Sequence, residues 1–249
     1  MPLVSIITPA WNAEDVLAET IRSVQAQTVA DWEMLVVDDC SSDGTCRLVE
    51  QFSRDDARVK LIRRTQNGGP ALTRQSALDA ASGRYIAFLD SDDLWLPQKL
   101  DRQLHFMAEH PTALSYTCFR RISDDGATVG RLIEVPNSLT YRQLLCNTAI
   151  ATLTAMVDRE VAGEIRMTNE GYDDFCLWLS ILKRGHVARG LREDLARYRV
   201  RGNSVSSKRM RSAGWVWNIY RNVEGLSLPS AAWCLANFGV RAYAKRLQF

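Results

Sequence analysis

The feature of this sequence that most constrains its fold is a regular alternation, through its first ninety or so residues, of short apolar runs and helix-type segments. The runs are rich in β-branched and aromatic residues and are expected to be strands. Such alternation is typical of βαβ units, so it predicts the α/β class, with a Rossmann-like, mostly parallel central sheet flanked by helices. The predicted strands span residues 3–8, 33–38, 59–62 and 85–89.

Capping signals place the intervening helices. Asn12 is predicted to cap the first helix. The Gly-Gly-Pro segment ending at Pro70 is predicted to open a later helix, with Gly83 as its C-terminal glycine. The remaining sequence predicts helices at about 97–110 and 173–184, strands at 113–119 and 195–200, and two final helices at 208–224 and 229–247.

Polar clusters follow three of the predicted strands, at residues 8–12, 38–39 and 90–93. In open parallel sheets, ligands bind beyond the carboxyl ends of the strands. These clusters therefore predict one crevice that holds a metal and a polar ligand.

Asp90-Ser91-Asp92-Asp93 is the candidate metal site, because hard divalent cations such as Mn²⁺ or Mg²⁺ prefer carboxylate oxygens and leave positions open for phosphates. The alternative is a helix N-terminus with surface acids. Asp39 could accept hydrogen bonds from a base or a ribose, or the pair at 38–39 could simply initiate a turn.

Charge and cysteine content limit the class of protein. The net charge is +2, but residues 208–249 carry +6 and the rest −4, which suggests a basic attachment surface; a solvated helical face is the alternative. The six cysteines form no CxxC pair, which argues against a zinc ribbon and fits a reducing compartment. There is no signal-peptide pattern and no apolar run of about 20 residues. We expect a cytoplasmic protein without a nucleic-acid partner.

Four ordered motifs give the sequence a family resemblance: Ser5–Asn12, Val36–Thr45, Asn67–Arg74 and Gly83–Asp93. Together they resemble glycosyltransferase family two, over roughly residues 3–207. That resemblance implies the GT-A fold, an inverting mechanism and nucleotide-sugar donors, with UDP-sugars favoured.

The resemblance also implies a division of the chain. A GT-A domain would span 1–207, with a nucleotide-binding half at about 1–110 and an acceptor half at about 111–207. Residues 208–249 would form a basic amphipathic helical extension.

Site residues follow from the same resemblance. Asp39 is expected to contact the nucleobase, and Arg74 the uridine or its phosphates. Asp92 is expected to ligate the metal, with Asp90 on the ribose and metal side. The nucleotide pocket would also include Thr8, Pro9, Asn12 and Ser91.

The catalytic base is expected at Asp174, because Asp173-Asp174 resembles the family's Glu-Asp pair on the acceptor side. The alternative interpretation is that Asp173 and Asp174 are only acids that stabilise a helix N-terminus. In the motif at 198–204, Arg201 replaces the usual His; it could contact phosphate but could not ligate a metal. That loop would close over the diphosphate, or it is a surface turn.

The tail begins at Ser207 and contains the segments Trp215–Trp217, Ile219–Tyr220, Glu224–Leu228 and Trp233–Phe238. It resembles the tail of bacterial cell-surface polysaccharide transferases, including the teichuronic-acid type, which implies a saccharide or lipid-linked saccharide acceptor. Its aromatic and basic residues predict peripheral contact with the inner face of the membrane; the alternative is that these helices pack on the catalytic domain or form a dimer contact. A nucleotidyltransferase lacks support, since no glycine-rich phosphate loop follows the first strand. A non-catalytic sugar-nucleotide or partner-binding module is the other alternative.

Overall fold

A computed structural model describes residues 1–201 and 209–246, and within them a mixed sheet is covered by helices on both faces. The sheet has the strand order β3-β2-β1-β4-β9-β6-β10-β5, with β7 beside β6 and β8 beside β10. The strands are β1 (Val4–Ala10), β2 (Trp32–Asp38), β3 (Val59–Arg63), β4 (Tyr85–Phe88), β5 (Leu94–Trp95), β6 (Leu114–Ile122), β7 (Val129–Ile133), β8 (Ser138–Leu139), β9 (Met156–Asp158) and β10 (Ala188–Arg199). The helices are α1 (Leu17–Gln25), α2 (Thr45–Asp55), α3 (Gly69–Ala80), α4 (Lys99–Glu109), α5 (Tyr141–Leu145), α6 (Arg159–Ala162), α7 (Asp173–Lys183), α8 (Arg209–Asn218) and α9 (Leu228–Arg246).

The first half of the sheet is parallel, and β1 lies between β2 and β4. Every residue of β2 is buried, as expected for a strand that helices cover on both faces. The predicted α/β fold and its four leading strands are confirmed. Beyond β4 the sheet is mixed, because β9 runs antiparallel to both β4 and β6, whereas β10 is parallel to β6.

The prediction that Asn12 caps the first helix is wrong. The helix α1 begins at Leu17, and Asn12 has φ +47°, a left-handed conformation that asparagine tolerates better than most residues. The Asn12 side-chain oxygen accepts the backbone N–H of Ser42 at 2.8 Å, and the Asn12 N–H donates to the Ser41 hydroxyl at 2.9 Å. Asn12 therefore ties the loop after β1 to the loop after β2.

The assignment of Gly83 as a helix-ending glycine is also wrong. The helix α3 ends at Ala80, and the chain turns extended at Ala81 without a left-handed residue. A Cβ placed on Gly83 would lie 2.7 Å from the backbone nitrogen of Ser5. Glycine is needed there because the chain passes directly against β1.

The C-terminal helices pack onto the sheet domain. The first of them, α8, is followed directly by a π-helical segment, Ile219–Val223. Val216, Ile219 and Tyr220 are buried in a cluster that also contains α7 residues. The two predicted tail helices are thus present, although residues 208 and 247 lie outside the described residues. Among the described helices, none combines the length and the apolar composition that a membrane span requires.

Candidate active site

The three polar clusters predicted from the sequence meet at the carboxyl ends of β1, β2 and β4. The Asp39 N–H donates to the carbonyl of Ala10 at 2.9 Å, and the Leu89 N–H donates to the carbonyl of Ile7 at 3.0 Å. Thr8 is fully buried between these strands, and its hydroxyl has no hydrogen-bond partner among the described residues. Pro9 is half-buried beside it.

Asp39 joins the end of β2 to the beginning of α3. Its buried carboxylate accepts the N–H groups of Gly68 at 3.0 Å and Gly69 at 2.8 Å, and it pairs with Arg64 at 3.2 Å. A carboxylate is favoured at a helix N-terminus because unpaired N–H groups concentrate positive charge there. Asp39 was predicted to contact the nucleobase. In the structure its carboxylate instead makes the hydrogen bonds that fix the loop before α3.

Arg74 joins the loop after β4 to the beginning of α7. Arg74 is 7% exposed, and its guanidinium donates to Asp90 and, at 2.7 Å, to Asp173. Burial opposes the charge of Arg74, but the carboxylates of Asp90, Asp173 and Asp174 outweigh it and raise the pKa of Arg74. This buried arginine therefore fixes the beginning of α7 against the loop after β4.

Asp174 is the second residue of α7 and lies within this network. Its carboxylate accepts the hydroxyl of Thr152 at 2.6 Å and the backbone N–H of Phe175 at 2.7 Å. Burial and the neighbouring Asp173 raise the pKa of Asp174, while Arg74 and Thr152 oppose that rise. A carboxylate with a raised pKa is a stronger base than an exposed aspartate.

Asp92 and Asp93 lie on a loop that Arg199 holds. Arg199 is 3% exposed, and its side chain donates to the Asp92 carbonyl at 2.9 Å while its backbone N–H donates to the Asp93 carboxylate at 2.9 Å. The same guanidinium reaches Glu19 of α1 at 2.5 Å. Within the same loop, the Ser91 carbonyl accepts the hydroxyl of Thr20 at 2.9 Å.

No described side chain donates a hydrogen bond to the Asp92 carboxylate, whereas Asp90 accepts from the Arg74 guanidinium and Asp93 from the Arg199 backbone N–H. Burial and the charge of Asp90 raise the pKa of Asp92 to about 6. Burial likewise raises the pKa of Asp93 well above its usual range, with Asp92 and Asp90 contributing. Buried acids that repel one another form a site that a cation would stabilise.

Arg201 pairs with Asp15 at 2.5 Å and with Asp124 at 3.3 Å. Arg201 therefore bridges the loop after β1 and the β6–β7 turn. The predicted phosphate-binding loop that follows lies, from residue 202, outside the described residues.

Three contributors to the site were not predicted from the sequence: Arg199, Thr152 and Glu19. Arg199 and Glu19 are 180 residues apart, and no spacing pattern signals such a pair. Arg199 did fall within the motif at 198–204, which could have drawn attention to it.

The described residues contain no group of three or more His, Cys, Asp or Glu side chains arranged to hold a metal ion. Asp90 and Asp92 alone still fit the common arrangement for Mg²⁺-type sites, in which one or two carboxylates bind and substrate phosphates complete the shell.

Comparison with known proteins identifies the family. The family model "Glycosyl transferase family 2" matches residues 5–166. The chain belongs to glycosyltransferase family 2. The predicted base Asp174 and the predicted phosphate contact Arg201 lie beyond the end of the match, and the other predicted site residues lie within it.

Two relatives extend the likeness. A Bacillus subtilis (strain 168) protein, provisionally named teichuronic acid biosynthesis glycosyltransferase TuaG, is 44% identical, with 99% of this chain and 98% of its own length aligned. The Escherichia coli enzyme WfgD, named UDP-Glc:alpha-D-GlcNAc-diphosphoundecaprenol beta-1,3-glucosyltransferase, is 38% identical, over 87% of this chain and 85% of its own. The chain is therefore a glycosyltransferase, which disfavours the non-catalytic alternative.

Solved structures agree on the GT-A fold. Staphylococcus aureus TarS 1–349 in complex with UDP-GlcNAc aligns with a TM-score of 0.73 and 21% identity, over 98% of this chain and 73% of that one. The mannosyltransferase PcManGT from Pyrobaculum calidifontis, in complex with GDP-Man and Mn²⁺, aligns with a TM-score of 0.71 and 18% identity, over 100% of this chain and 76% of that one.

Proposed function

We propose that this glycosyltransferase moves a sugar from a nucleotide diphosphate donor, a UDP-sugar, to the hydroxyl of a lipid-linked saccharide, with inversion and with a divalent metal. The process served would be cell-surface polysaccharide biosynthesis. The observation that supports this most is the Arg74 bridge, which holds Asp173 and Asp174 beside the acids that follow β4.

The nucleotide would bind across the ends of β1, β2 and β4. Among the residues the structure describes, none pairs with the buried Thr8 hydroxyl, so a ligand could satisfy it. Pro9, Asn12 and Ser91 would border the same crevice, and Asp39 would act there mainly by fixing the shape of the loop that begins α3.

A divalent metal would bind at the loop after β4. Asp92 offers a carboxylate that no described side chain occupies, and Asp90 a partly exposed one whose charge raises the pKa of Asp92. These two residues would hold Mn²⁺ or Mg²⁺. The bound cation would neutralise the diphosphate and so stabilise the departing nucleoside diphosphate.

Asp174 would act as the base. One of its oxygens would take the proton of the acceptor hydroxyl as the hydroxyl oxygen bonds to the anomeric carbon. The bond from that carbon to the diphosphate oxygen breaks in the same displacement, so the configuration inverts. Thr152 orients the Asp174 carboxylate, and the raised pKa keeps it basic enough to accept the proton near neutral pH.

The donor and the acceptor class are suggested by relatives. The name of WfgD specifies UDP-Glc as the donor and a diphosphoundecaprenol-linked acceptor. The name of TuaG refers to teichuronic acid biosynthesis. We extend these classes to this chain because the alignments span most of both proteins.

The test is a donor screen that measures release of nucleoside diphosphate with Mn²⁺, with Mg²⁺ and with chelator, using a synthetic lipid-diphosphate-linked GlcNAc. We expect release from a UDP-sugar that needs both metal and acceptor, and a product whose anomeric proton by NMR shows the configuration opposite to the donor's. Release unaffected by chelator would contradict the metal role, and retention of configuration would contradict the single displacement.

A further inference from the structure

The outer face of α9 exposes large apolar side chains to solvent. Leu228, Trp233 and Val240 are 60%, 69% and 70% exposed. Ala232 and Ala236 lie between them on the same side of the helix, and no residue from 228 to 240 is charged. A surface helix in water normally places polar and charged residues on its outer side.

The inner face of α9 packs beside the proposed base. Phe238 contacts Phe175 with ring centroids 5.5 Å apart and Tyr172 at 6.4 Å. These two aromatic residues flank Asp173 and Asp174 in the sequence, where α7 begins. Whatever covers the outer face of α9 therefore lies one helix diameter, roughly 10 Å, from the acceptor side of the site.

The segment that contains this face carries an excess of basic residues. Residues 208–249 carry a net charge of +6, and Arg241 is exposed immediately after the uncharged stretch. Trp217 and Phe238 are half-buried and Tyr220 is buried, so much of the aromatic content predicted to meet a membrane is used for packing. Among the aromatic residues of the tail whose side chains the structure describes, Trp233 alone is exposed.

We infer that the outer face of α9, formed by Leu228, Ala232, Trp233, Ala236 and Val240, docks on an anionic lipid bilayer. An interfacial helix buries its apolar face at the boundary of headgroups and acyl chains, with a tryptophan at that depth and basic residues on the anionic headgroups. The link between this docking and a lipid-linked acceptor rests on the proposed function.

A second copy of the chain fits this face less well. A two-fold contact through α9 would bring two tails of net charge +6 together, and like charges oppose such a contact. Anionic headgroups attract the same residues. Docking would also bring the base at the N-terminus of α7 close to the membrane plane, where the sugar of a lipid-diphosphate acceptor lies.

The experiment uses the full chain and vesicles of phosphatidylcholine with phosphatidylglycerol that contain no sugar lipid, with co-sedimentation at low and high salt. We expect binding at low salt that falls at high salt and in vesicles of phosphatidylcholine alone. The triple variant Leu228→Gln, Trp233→Gln, Val240→Gln should bind at least about ten-fold more weakly, because it removes the apolar surface that inserts. The control Val129→Gln, Val161→Gln changes valines that are 52% and 41% exposed elsewhere, and it should bind like the parent.

Equal vesicle binding by the parent and the triple variant would overturn the inference. So would a parent that stays in the supernatant, or a parent dimer by analytical ultracentrifugation that the triple variant abolishes. Since none of these readouts uses a donor or an acceptor, loss of the proposed transferase function would leave the vesicle result intact, and the reverse also holds.

Discussion

Replacing Arg74 with methionine tests whether the buried ionic network holds the two halves of the site together. The Arg74 side chain is 8% exposed and that of Asp173 is 9% exposed, so the methionine variant leaves buried carboxylates without their cation. Breaking a buried ion pair by removing one partner costs about 3–5 kcal/mol. The Asp90 side chain is 30% exposed, so water compensates for part of its loss.

In a protein of this size, about 1 kcal/mol corresponds to a change in Tm of about 2–4 °C, so we expect Arg74→Met to lower Tm by roughly 6–20 °C. Calorimetry and urea unfolding at neutral pH would measure this loss. The matched control is Arg102→Met, whose partner Glu193 is on the surface, with side chains 50% and 33% exposed. That change should cost at most about 1 kcal/mol. Equal losses in the two variants would refute the reasoning.

The same variant should change the pH dependence of transfer. Burial and Asp173 raise the pKa of Asp174, and Arg74 lowers it, so removing Arg74 raises that pKa further. A base must be deprotonated to act, so the acidic limb of the rate profile should move to higher pH. Arg74→Lys keeps the charge and should move the limb less. A limb that stays in place or moves to lower pH in Arg74→Met would contradict the assignment.

Three further predictions follow from other parts of the structure. Asp92→Ala should abolish the Mn²⁺-dependent part of UDP binding measured by calorimetry, and unchanged affinity would exclude its metal role. Gly83→Ala should lower the free energy of unfolding by about 1–3 kcal/mol, because its Cβ would lie 2.7 Å from the Ser5 nitrogen; an unchanged urea midpoint would contradict this. Glu33 has its pKa lowered to about 2, because hydrogen bonds from Lys60 and two serines overcome a burial effect that would raise it. Glu33→Gln should therefore cost on the order of 2 kcal/mol above pH 4.5, a loss that shrinks as pH falls toward 2, and a pH-independent loss in urea unfolding would exclude this origin.

The leading half of the fold could be predicted because its signals are local. The strands from Val4 to Phe88 are short, apolar and separated by helices whose buried residues recur at helical spacing, as with Leu17, Ile21 and Val24 in α1. The order of the polar clusters then placed the crevice, because parallel strands bring their carboxyl ends to one edge.

The connections within the site could not be predicted because they depend on distant pairs. Arg74 and Asp173 are 99 residues apart, and Arg199 and Glu19 are 180 apart. The two wrong local assignments, Asn12 and Gly83, have the same cause. Each residue type suited a helix end, but contacts with another strand or loop determine what it does.

The central claim is that Asp174 removes the proton of the acceptor hydroxyl, and the most direct measurement is single-turnover transfer by Asp174→Asn with the donor and metal found in the screen. Asparagine keeps the shape and the bond from Thr152 but cannot take a proton. The account predicts a rate at least ~100-fold lower than that of the parent, with unchanged affinity for UDP, and a normal rate for the control Asp101→Asn on the exposed face of α4. Transfer by Asp174→Asn at nearly the parent rate would contradict the account.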